Sequence, residues 1–120
     1  MVDKRDYNNL VNRIEKLMLQ LEAKQDKDRA YHFDTVCGKM RVRVDDFRPK
    51  RKCVWVYTCV ENPVLAKQRF NHTGVFEYMT QSLNTFNGKY NAFHESVDTL
   101  YHWLYEYIVA CLPDGKKVEY

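Results

Sequence analysis

The densest chemistry in this 120-residue chain lies between Lys39 and Lys52. Lys39, Arg41, Arg43, Arg48, Lys50, Arg51 and Lys52 stand there against Asp45 and Asp46, a net +5 in a chain whose total is +3. The positive charge therefore sits in one place, and the remainder is slightly acidic. Strand alternation predicts Arg41 and Arg43 on one face, with Trp55 and Tyr57 as candidates for the same face. Arginines beside aromatic rings hold phosphates and stack bases. The plainer reading is a solvated charged sheet face, or arginine stacking on an aromatic ring within the molecule.

A second pattern is His94, Asp98, His102 and Glu106, every fourth residue near the end of the chain. Such i, i+4 pairs on a helix can chelate a metal. The same spacing is the polar stripe that any half-buried helix carries, and that reading is preferred. The cysteines at 37, 53, 59 and 111 contain no Cys-x-x-Cys pair. Cys53 and Cys59 would lie about 20 Å apart on an extended strand. All four read as buried thiols, not disulfides or zinc ligands. The four glycines are well separated, so no phosphate-cradling loop exists, and there is no nucleophile elbow or His-Glu-x-x-His. The expectation is a protein that is not an enzyme and holds no metal or cofactor. Asn71-His72-Thr73 matches a glycosylation acceptor, read as chance because the charged start, Asp3-Lys4-Arg5-Asp6, has no secretory pattern. No apolar run reaches membrane-spanning length, so no membrane partner and a cytoplasmic location are expected.

These groups need elements to position them. Tyr7, Leu10, Val11, Ile14, Leu17, Met18 and Leu21 form one stripe and predict a helix over about Asp3 to Asp28. The stripe lasts under three heptads, so the helix packs on its own domain or on a partner, not in a long coiled coil. Tyr31 to Cys37 and Met40 to Asp46 predict a hairpin around Gly38-Lys39, with Gly first in a two-residue turn. In that register Cys37 pairs with Met40, Phe33 opposes Val44, Thr35 opposes Val42, Asp34 opposes Arg43 and His32 opposes Asp45. Lys52 to Val60 is a third strand, apolar on both faces. As the edge of a meander it needs cover from a helix or another chain.

Asn62-Pro63 starts a short helix to about Phe70. Val75, Phe76, Met79, Leu83 and Phe86 predict another, closed by Asn87-Gly88. A last helix runs from about Asn91 to Leu112, where Pro113-Asp114-Gly115 stops it. It is apolar nearly all round. The order helix, three strands, helix resembles the double-stranded RNA-binding domain in topology alone. That family's lysine-rich helix start and Gly-Pro loop are missing, and its function is not carried over.

The fold expected is a single α+β domain over 1–120: an N-terminal helix, a three-stranded antiparallel meander, and two to three C-terminal helices on the sheet. The heavy aromatic load, nine Tyr, six Phe and two Trp, suits interfaces. The leading functional expectation is therefore a homodimer that binds and modulates another protein, such as a viral or phage accessory protein acting as an inhibitor in the host cytoplasm. Its interface would use Leu10, Ile14, Leu17 and Leu21 on the first helix and Tyr101, Trp103 and Tyr105 on the last. The alternative is a nucleic-acid-binding protein working through Lys39 to Lys52.

Overall fold

The computed structural model describes residues 3–49, 54–70, 80–82, 88–91 and 97–120, with 80–82 and 88–91 described by their backbone alone. It is an α+β fold in which helices cover one face of a mainly antiparallel sheet.

Helix α1 spans Lys4–Gln20. Asp3 caps it, its Oδ1 accepting from the Asp6 N–H at 2.8 Å. The helix is shorter than its sequence suggests, and its ending explains why. The Glu22 N–H donates to Leu19 O and the Ala23 N–H to Met18 O, with Glu22 at φ 54°. This is a Schellman motif with glutamate where glycine is usual. The stripe of core residues ends at Leu21, so nothing rewards another turn. Glu22→Gly is expected to stabilise the fold by about 1 kcal/mol, read by urea denaturation, because the left-handed conformation costs an L residue about that much. A destabilised variant would refute this account of the helix end.

The residues after the motif form β1 (Lys24–Gln25), which pairs with β2 (Tyr31–Thr35). Asp26 holds the turn between them, its Oδ1 accepting from the N–H groups of Asp28 and Ala30. This first strand makes the meander four-stranded, through β3 (Gly38–Val44) and β4 (Trp55–Val60).

The β2–β3 register differs from the expected one. Thr35 pairs with Gly38, Phe33 with Met40 and Tyr31 with Val42. The chain turns at Val36-Cys37, with Gly38 at φ 90° just beyond. Asp34 consequently opposes Lys39, not Arg43, and His32 opposes Arg41, not Asp45. The shift is by an even number of residues, so Phe33, Met40 and Val42 still face the core. The turn is fixed by tertiary contacts. The Val36 N–H donates to Cys111 O and the Asn62 N–H to Cys37 O, each at 2.9 Å.

Strand β4 is not an edge. β5 (Thr80–Ser82) pairs with it in parallel along Thr58 to Val60, and β6 (Gly88–Asn91) antiparallel along Trp55 to Tyr57. The helix expected over Val75 to Phe86 is thus replaced by strand at Thr80–Ser82; its remaining residues lie outside the described ones. Asn91, expected to start the last helix, ends β6 instead. The free backbone groups of an apolar strand need partners, and that need overrides a helical apolar spacing.

Helix α2 (Pro63–Arg69) is capped by Asn62, whose Oδ1 accepts from the Leu65 N–H at 3.1 Å. Helix α3 spans Val97–Cys111. The core joins Leu10, Ile14 and Leu17 of α1 and Leu100, Leu104 and Ile108 of α3 to Met40, Val42, Val56 and Val60 of the sheet. The residues expected at an interface lie in or against this core. Leu10, Ile14, Leu17, Leu21 and Tyr101 are buried by the chain itself, and Trp103 and Tyr105 pack half-buried against the same core. The over-apolar α3 is satisfied from within, because it meets α1, α2 and the sheet together.

Candidate functional site

Alternation along the strands assigns the other sheet face. Cross-strand pairing aligns Lys24 with His32, His32 with Arg41, Arg41 with Cys59 and Arg43 with Tyr57. Trp55, two residues before Tyr57, belongs to the same face. No described helix contributes to this face, because the helical residues of the buried cluster share it with Val42, Val56 and Val60. Arg41, Arg43, Trp55 and Tyr57 are therefore brought together as their spacing suggested. Each is half-buried.

The electrostatics of the face are local. The Arg43 guanidinium lies 4.7 Å from the Tyr57 ring centroid, in cation–π contact, and 3.7 Å from the Asp45 carboxylate. Arg41 pairs with Cys59 across the strands. Burial pushes the Cys59 thiol up to about 11, with Arg41 pulling the other way. Only about one such thiol in 10⁴ is ionised at neutral pH, which makes it a poor nucleophile.

Lys39 and Arg48 are exposed, Arg48 in the loop after β3. Lys50, Arg51 and Lys52 lie outside the described residues. Lys24 and Lys116 were missed by the sequence reading. With His32 and Lys39 they line a cavity of about 350 Å³ that also carries Glu22 and Asp34. Lys24 hides between Glu22 and Asp26, and the end of the apolar stripe at Leu21 was the signal that a strand begins there.

His32 bonds Asp26 through Nε2 at 2.6 Å, and this hydrogen bond is the main cause holding the Asp26 carboxyl below its ordinary value of 3.8. A carboxylate lowered in the folded state contributes stability that is complete above the ordinary value and is lost as pH falls through the folded one. Unfolding free energy should therefore decline below about pH 4, and Asp26→Asn should flatten that limb in acid-titration melts. An unchanged limb would remove Asp26 from the acid response.

The described members of the helical pattern near the chain end have other neighbours. Asp98 pairs with Arg13 at 2.7 Å, the His102 ring stands against Trp103 and Tyr120, and His94 lies outside the described residues. Among the described residues, no three His, Cys, Asp or Glu side chains are grouped closely enough to hold a metal ion. Cys37, Cys59 and Cys111 are buried thiols, and burial with the neighbouring Cys37 pushes Cys111 far up. Cys53 and Asn71 to Thr73 lie outside the described residues. No described helix is long and apolar enough to cross a membrane. No protein-family model matches the chain, and no curated protein or solved structure proved similar to it.

Proposed function

We propose that this chain is a non-enzymatic binding module whose working surface is the sheet face to which no described helix contributes, and that its ligand is single-stranded nucleic acid. The observation that carries the reading is the alignment of Arg41 and Arg43 with Cys59 and Tyr57 on that face, which Trp55 shares by strand alternation. A face of this kind carries both charge and stacking surface. It offers cations to phosphates and rings to splayed bases, as sequence-tolerant single-strand binders do.

The homodimeric modulator drew its support from apolar surfaces now filled within the chain. Among the described residues, the large apolar side chains that remain exposed are Leu19, Val36, Val64 and Tyr120. An acidic protein partner is the second reading. It is favoured by the engagement of Arg43 with Tyr57 and Asp45, which holds its charge close to the sheet.

The test is fluorescence anisotropy of labelled 12-residue single-stranded DNA and RNA across a salt titration. Binding should weaken with salt at a log–log slope of about −0.7 per phosphate contact. A flat trace at 50 mM salt with about 100 μM protein, well above ordinary non-specific affinity, would reject nucleic acid and leave the acidic partner.

A further inference from the structure

The segment after α3 folds back over α1 and α3, and the way it is held has a consequence for self-association. Side chains of the helices read its main chain. Tyr105 donates to Val118 O at 2.6 Å and Tyr101 to Tyr120 O at 2.9 Å. The Gln20 amide closes a two-way pair with Glu119, accepting from its N–H at 2.7 Å and donating to its carbonyl at 3.2 Å. The Tyr120 ring stands edge-on to Tyr105 and Tyr101, with centroids at 4.9 and 5.3 Å. The seat thus recognises the main chain of residues 118–120 and one aromatic ring through α1 and α3, while Arg69 of α2 holds Asp114 at 3.1 Å.

What ties the segment to its own seat is an exposed turn. The Lys116 N–H donates to Pro113 O, and Gly115 adopts φ 85° with open space around its Cα. An identical segment from another molecule would make the same contacts, since exchange of an identical element leaves every bond in place. We propose that residues 113–120 are an exchangeable strap, and that the seat on α1 and α3 accepts the strap of a second copy. The tether gives the chain's own strap an effective concentration in the millimolar range, so the closed monomer prevails in dilute solution. Exchange takes over when the turn cannot close.

Gly115→Pro in the full chain makes that condition, because proline is confined to φ near −65°. By light scattering at about 50 μM, far below the tether's effective concentration, the wild-type chain is expected at its 14.4 kDa monomer mass. Gly115→Pro is expected at twice that mass. Adding Gln20→Ala to Gly115→Pro, or a synthetic peptide of residues 113–120 in excess, should return it to monomer. A Gly115→Pro chain that stays monomeric with native circular dichroism would overturn the proposal. So would a dimer that survives both the seat change and the peptide. A second route leaves the turn intact: wild-type protein near 1 mM, close to the effective concentration of the tether, should form dimer that Gln20→Ala does not, and equal dimer fractions in the two would also overturn it.

Discussion

Replacing Gly38 by alanine should lower the unfolding free energy by about 2–4 kcal/mol, the sum of a left-handed backbone cost and an overpacking cost. Gly38 sits at φ 90°, which an L side chain rarely adopts, and a Cβ there would lie 2.7 Å from the Glu61 Cβ. Neither contact can relax cheaply. Glu61 is held on both sides of Lys39, its side chain accepting from the Lys39 N–H and its own N–H donating to the Lys39 carbonyl. The neighbouring turn is tied to Cys111 and Asn62. Urea denaturation of Gly38→Ala against wild type reads the effect, and a loss under about 1 kcal/mol, less than the backbone cost alone, would mean that the turn moves freely. Thr35→Ala should cost less, since it removes one accepted bond from the Cys37 N–H and one donated to Gly38 O.

The second large effect concerns binding. Lys39→Glu with Arg48→Glu should weaken single-stranded nucleic acid binding on the order of 10²-fold at 50 mM salt, as the loss of two phosphate contacts implies. Both residues are exposed, and Lys39 opposes Asp34 across the strands, so the thermal melt should fall only slightly. Tyr57→Ala should weaken binding about tenfold or more through lost stacking, while leaving the salt slope unchanged. It also releases Arg43 from its ring. Affinity unchanged in the charge-reversed chain would show that the sheet face is not the working surface, even if the protein binds nucleic acid elsewhere.

Some of the fold was legible because it is local. The Asp3 and Asn62 caps act on N–H groups three residues away, and α1 carries its stripe within a single helix face. The assignment of Arg41, Arg43 and Tyr57 to one face needs only the two-residue period of a strand. The wrong turn lies between β2 and β3 and leaves the β3–β4 pairing untouched. The candidate site was therefore partly readable. Lys24 and Lys116 were not, since they reach it through a helix end and a returning tail.

The sequence by itself determined which residues seek burial, where two helices begin, and which strand residues share a face. Each is a matter of near-neighbour spacing and of side chains bonding their own backbone. The tertiary structure decided the rest. It set the turn at Val36-Cys37, because the end of α3 and the start of α2 bond that backbone. It made β4 interior, because an apolar strand with free backbone groups drew β5 from a stretch patterned like a helix and β6 from the residues after it. It turned the aromatic surface of α3 inward, toward α1 and the strap, because contacts between residues far apart in the chain outweigh local preference once a shared core is buried.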